Sequence, residues 1–177
     1  WWGGRGDSID STLTREFDLS GLEQATLEFW TWYGIEPTWD HAYVEVSVDE
    51  GTTWSILEGS HTRAEDPTRS NLGPSFDGRS DGWVKETMDL SPYTGQRVLL
   101  RFEYVTDDGV YLDGFLIDDL SIPEIGFQDG AERDMGWDEA GFSRVTTTLP
   151  QYYAVQVIEE TAEGMVTVRE LSLDEKR

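Results

Sequence analysis

The sequence predicts an all-β protein, a jelly-roll β-sandwich followed by a three-stranded C-terminal extension. Three observations carry that reading. Apolar residues recur at every second position in one stretch after another, the spacing of a half-buried strand. Clusters of Gly, Pro, Ser and Asp separate those stretches, as turns do. No stretch shows the 3.6-residue apolar spacing of an amphipathic helix. Eight Trp, seven Tyr and seven Phe are too many for a disordered acidic segment, so the chain is read as folded. Its 177 residues suffice for a sandwich at 1–123 and a β-rich extension at 124–177 packed on it.

The first predicted strand runs from Leu13 to Leu19, where Leu13, Arg15, Phe17 and Leu19 alternate with Thr14, Glu16 and Asp18, and Ser20-Gly21 closes it. Ahead of it, WWGGRGDSID is a polar loop whose Asp7 and Asp10 are either exposed or part of a cation site. The second strand, Ala25 to Tyr33, places Leu27, Phe29 and Tyr33 on one face and Trp30 and Trp32 on the other. Indoles on the solvent face of a sandwich must be covered by another part of the chain or form a platform for a flat ligand such as a sugar ring. Cover by residues 124–177 is the reading taken here. A loop with Glu36, Trp39 and Asp40 leads to a third strand, Tyr43 to Asp49, with Val44, Val46 and Val48 assigned to the core.

Ser47 to Trp54 fits the Asp-box pattern S-x-D-x-G-x-T-W, in which a carboxylate gathers backbone N–H groups around a turn. Residues 59–82 show no apolar periodicity, and so long a loop implies a functional or cation-stiffened excursion or a hidden hairpin. Trp83 to Leu90 and Arg97 to Val105 are the next strands, separated by the turn SPYTG. Phe115, Leu116, Ile117, Leu120 and Ile122 then form a strand apolar on both faces, interrupted by Asp118 and Asp119. Neighbouring side chains in a regular strand point to opposite faces, so one of these carboxylates should press on packed surface. A buried carboxylate needs a cation or several donors. With Asp107, Asp108 and Asp113 upstream, a calcium ion is the simplest compensation, a hydrogen-bonded turn beside a solvated acidic loop the alternative. Further strands are predicted at Ser143 to Leu149, Tyr152 to Glu159 and Met165 to Leu173.

The net charge of −23 repels nucleic acid and anionic membranes and favours cations. The absence of cysteine removes disulfides, thiolate zinc sites and cysteine nucleophiles. No apolar run approaches the roughly 18 residues of a membrane span. The two histidines, His41 and His61, form no zinc-peptidase motif, and no nucleophile elbow, phosphate loop or dinucleotide fingerprint is present. Paired carboxylates leave a glycosidase open by inventory, but such a pair must face one cleft. The chain starts on Trp1-Trp2 without Met and is read as a piece of a longer protein.

Several blocks occur in order: LTREFDL at 13–19, ATL at 25–27, YVEVS at 43–47, DGWVKE at 81–86, DLSPYTG at 89–95, LRFEYVTD at 100–107 and IDDL at 117–120. This set resembles the region that follows the catalytic domain in immune inhibitor A, a secreted bacterial zinc metallopeptidase, and more loosely the MAM-type and cleaved-adhesin jelly-roll modules. The resemblance covers residues 1–123, and the remainder is similar to the tail beyond. It implies a non-catalytic, calcium-stabilised sandwich, extracellular, accompanying the parent's catalytic domain and engaging substrate or a surface. By position it implies metal ligands at Asp7 or Asp10, at Glu36 and Asp40, and at Asp118 and Asp119. The family's zinc-binding helix is absent from the chain, so no peptidase activity is expected of it. The rival reading is a carbohydrate-binding or adhesion module stacking ligands on Trp30, Trp32 and Trp39.

Overall fold

Two antiparallel sheets turn their apolar faces toward each other. One contains β1 (Asp10–Asp18), β3 (His41–Ser47), β4 (Ser55–Ile56), β7 (Arg97–Val105) and β10 (Asp138–Ala140), in the order β10-β1-β7-β3-β4. The other contains β2 (Thr26–Ile35), β5 (Gly78–Arg79), β6 (Val84–Asp89), β8 (Gly114–Ile122) and β9 (Phe127–Asp129). There β2 pairs with β8, β8 with β9, and both β5 and β6 lie along the other edge of β2. The computed structural model describes residues 1–146, 155–160 and 166–171. No α-helix occurs among them, and two single 3₁₀ turns start on Ser91 and Pro123.

Alternation does what the sequence predicts. Leu27, Phe29 and Tyr33 of β2 and Val98, Leu100, Phe102 and Tyr104 of β7 are buried in one core. Phe29 meets Phe102 edge-on across the sheets, with centroids 5.2 Å apart. At the far end Phe17 packs against Phe127 and Trp137. The Asp box forms as expected. Asp49 Oδ1 accepts the Thr53 N–H at 2.8 Å, the Ser47 hydroxyl accepts the Gly51 N–H at 2.8 Å, and Gly51 adopts φ +87°. Arg101 stacks 4.0 Å over Trp54 and bonds Glu45 at 2.6 Å.

Two expectations change, and one of the alternatives for residues 59–82 is decided. Asp118 and Asp119 do not divide between the two faces. Trp30 pairs with Asp118 and Glu28 with Ser121, so β8 carries one extra residue, and Asp119 takes φ +47°. This bulge lets Ile117 and Leu120 both enter the core while neither carboxylate is buried. Val48 is 50% exposed, because β3 has already ended at Ser47 and the Asp-box turn begins. The stretch 59–82 contains a hidden hairpin: Arg63 bridges Ser75, Ala42 bridges Phe76, and Phe76 lies fully buried against Phe29, Tyr33 and Phe115.

Glu86 ties that loop to β6. Its carboxylate is fully buried and accepts N–H groups from Ser60 at 2.8 Å and His61 at 3.0 Å, with His61 Nδ1 2.9 Å away. A Cβ on Gly59 would fall 2.8 Å from Glu86 Cδ, so only glycine lets the backbone come this close. Glu86→Ala orphans both N–H groups and is expected to cost about 3 kcal/mol. The check is a lower denaturant midpoint with an unchanged slope.

The chain divides into two units, Trp1–Val145 and Thr146–Arg177. Residues 124–145 therefore belong with the sandwich. Phe127–Asp129 extends the β8 sheet, Asp138–Ala140 extends the β1 sheet, and Ser143 pairs with Trp2. In the second unit β11 (Val155–Glu160) and β12 (Val166–Leu171) pair antiparallel from Val155↔Leu171 to Glu160↔Val166. The predicted strand residues 147–149, 152–154, 165 and 172–173 lie outside the described residues.

Candidate metal centre

β2 ends at Ile35, β3 starts at His41, and β7 ends at Val105, which pairs with both Asp10 and His41. The topology therefore brings three loops to one rim: 4–9, 36–40 and 106–113. Hydrogen bonds lock the first of these loops to the third. Ser8 N–H donates to the Asp107 carbonyl at 2.6 Å and Ile9 N–H to the Thr106 hydroxyl at 2.9 Å, while that hydroxyl donates to the Gly6 carbonyl at 2.9 Å.

Within this rim, one carboxylate oxygen from each of Glu36, Asp40 and Asp107 lies within 4.8 Å of the others. Asp40 is fully buried. Its Oδ1 accepts the Asp107 N–H at 2.9 Å, while its Oδ2 is buried without a hydrogen-bond partner. The Tyr104 hydroxyl is a second buried atom without a partner. Burial, and then the Asp40 charge, raise its phenol well above the ordinary range. Burial is also the main cause that pushes the Asp40 carboxyl up to about 6, with Asp107, Glu36 and Asp7 adding repulsion. Three clustered carboxylates with no sulfur or imidazole donor suit a hard cation held by oxygen. The orphaned Oδ2 of Asp40 is what such a group would satisfy.

The loop carrying Asp40 is braced from behind. Thr38, at φ +69°, donates its N–H to Asp77 Oδ2 at 2.9 Å, and its carbonyl accepts the hydroxyls of Thr68 and Ser70. His41 is buried between Ser75 and Ser70, and burial lowers its pKa.

Of the six carboxylates the sequence nominated, Glu36 and Asp40 meet, and Asp7 is near enough to act on Asp40 electrostatically. Asp10 opens β1 as an exposed residue opposite Val105. Asp118 and Asp119 are on the β8 bulge. Asp118 there faces Trp30, and its charge acts on the Trp1 ammonium. Neither joins the cluster around Asp40. The sequence places Asp107 only in an acidic loop; the signal for it is its place two residues beyond Val105, the partner of His41. The three nominated indoles do not converge either. Trp30 is 40% exposed on the outer face of β2, Trp32 is half-buried in a row with Leu116 and Trp2, and Trp39 stands on the rim, 48% exposed. Within the first unit, residues 124–145 leave Trp30 and Trp39 exposed.

A family model described as "Immune inhibitor A-like, MAM domain" matches residues 1–147. The chain belongs to this family. The immune inhibitor A-like match ends two residues beyond the boundary of the first unit at Val145. Pre-pro-metalloprotease PrtV of Vibrio cholerae serotype O1 is 35% identical over 147 residues, which are 81% of this chain and 15% of PrtV. Immune inhibitor A of Bacillus thuringiensis subsp. alesti is 32% identical over 132 residues, 72% of this chain and 18% of that protein. Bacillopeptidase F of Bacillus subtilis is 24% identical over 98 residues, 55% of this chain and 6% of that protein. The MAM domain thus spans less than a fifth of the length of each of these relatives.

Proposed function

We propose that this MAM domain is a non-catalytic, calcium-binding accessory module of a secreted immune inhibitor A-type metallopeptidase, and that its parent's catalytic domain is its first partner. The ion would be held by Glu36, Asp40 and Asp107, with Asp7 closing the site from the N-terminal loop. Its role is mechanical, joining the chain's start to the loops after β2 and β7. The observation that carries this reading is Asp40: a fully buried carboxylate with an unpartnered oxygen, facing other carboxylates. Burying such a group without a counter-charge is costly, and a divalent cation removes the cost. Among the described residues no helix is long and apolar enough to cross a membrane.

Calorimetric titration of the chelator-treated protein with calcium tests this. One ion per chain is expected, with binding abolished in Asp40→Asn and retained in Asp118→Asn. No heat on titration, or loss of binding in the Asp118 variant alone, would overturn the assignment.

A further inference from the structure

The rim that gathers the carboxylates also holds apolar side chains in water. Trp39, 48% exposed, immediately precedes Asp40. Val110 and Tyr111, 65% and 42% exposed, follow Asp107 by three and four residues. Their loop is not slack. Asp107 Oδ1 accepts the Gly109 N–H at 2.9 Å, and the Arg5 guanidinium lies 5.3 Å over the Tyr111 ring. Calcium takes six to eight oxygens, more than three or four carboxylates supply when each gives one. Asp40 closes the cluster from the protein side, while Glu36 and Asp107 are partly exposed. Coordination positions would therefore remain open toward solvent, beside loops that present two aromatic rings.

An open, aromatic-flanked cation selects its ligand by charge. Asp7, Asp108 and Asp113 are exposed around the rim, and the chain carries −23. An acidic glycan or an anionic lipid surface meets repulsion that one divalent ion does not cancel. A neutral sugar meets none. Its vicinal hydroxyls can ligate the ion, and its apolar ring face can stack on an indole.

We propose that this rim binds a neutral polysaccharide, two adjacent hydroxyls of a pyranose ligating the ion beside Asp40 and Asp107 while the ring stacks on Trp39 or Tyr111. The proposal rests on the calcium reading above and gives the same site a ligand. It differs from a platform on the β2 face, because the indoles that matter are those beside the ion.

Affinity electrophoresis of the full chain in gels containing mannan, galactomannan or starch tests it, in calcium and in chelator. Retardation by at least one of them is expected in calcium only. Trp39→Ala should weaken it about tenfold or more while leaving the calcium-dependent melting temperature unchanged. Tyr111→Ala serves as the second variant. If calcium binds and none of the three polymers retards the protein, the proposal falls while the calcium module stands. If calcium itself does not bind, both fall. Retardation that persists in chelator assigns binding to the Trp30 and Trp32 face and overturns the ion-bridged mode. Calcium-dependent sedimentation with phosphatidylserine vesicles, without retardation in any gel, overturns it in favour of a membrane ligand.

Discussion

With calcium chelated, Asp40→Asn should melt several degrees higher than the natural sequence at about pH 7, and with calcium in excess it should melt lower. The crossing follows from the sign of the Asp40 shift. Its carboxyl ordinarily titrates at 3.8 and is raised to about 6 in the folded, ion-free chain. Between those values the folded state keeps a proton that the unfolded state has released. Asp40 therefore costs nothing below about pH 4, and the ion-free protein loses stability as pH rises through about 6, by at most about 3 kcal/mol. Asparagine keeps the oxygen that accepts the Asp107 N–H and has no charge to bury. In calcium the same charge becomes the ligand, and its loss forfeits the mass-action stabilisation, about 2.7 kcal/mol at a hundredfold excess over Kd. Melting curves of both proteins in chelator and in calcium, at about pH 4 and about pH 7, contain all four comparisons. An asparagine variant that melts lower in chelator at neutral pH would show that the Asp40 carboxylate is satisfied by the protein alone.

What could be read from the sequence is what strand alternation and local motifs encode. Leu27, Phe29 and Tyr33 announced the inner face of β2, and the S-x-D-x-G-x-T-W spacing announced a turn whose hydrogen bonds are all local. The seven ordered blocks pointed to the family, which the match over residues 1–147 bears out. What could not be read depends on register. A regular β8 would place Asp118 and Asp119 on opposite faces; the bulge turns both out of the core, and nothing in IDDL marks the extra residue. Likewise Glu36, Asp40 and Asp107 come within reach of one another, and Asp7 near enough to act on Asp40, because Val105 pairs with both Asp10 and His41, a long-range fact without a local signature. Acidity suggested a cation site, while strand pairing decides which acids cluster at the rim. The unit boundary has a similar cause. Residues 124–145 show no long periodic stretch, yet two three-residue strands and the buried rings of Trp137 and Phe142 join them to the sandwich.

The loop 59–82 leads to the second large effect. Phe76→Ala is expected to destabilise the protein by about 3–5 kcal/mol, as a central core strand residue would, although Phe76 lies outside every regular strand. Its ring is enclosed by Phe29, Tyr33 and Phe115, and its backbone exchanges hydrogen bonds with Ala42 at 2.8 and 3.0 Å. The cavity left by truncation would border both sheets, which limits how far either can collapse into it. The neighbours of Phe76 carry the effect to the rim: Ser75 holds His41, and Asp77 holds the Thr38 N–H, so both brace the segment that positions Asp40. Calcium affinity should therefore fall together with stability. Leu72→Ala is the internal comparison, since Leu72 belongs to the same loop but is 74% exposed, and its truncation should change stability by no more than about 0.5 kcal/mol. Denaturant midpoints of the two variants, with calcium titrations of each, separate a loop anchored by one core ring from a loop that merely covers the surface. If the two substitutions cost the same, or if Phe76→Ala left calcium affinity untouched, the bracing assigned to Ser75 and Asp77 would be wrong.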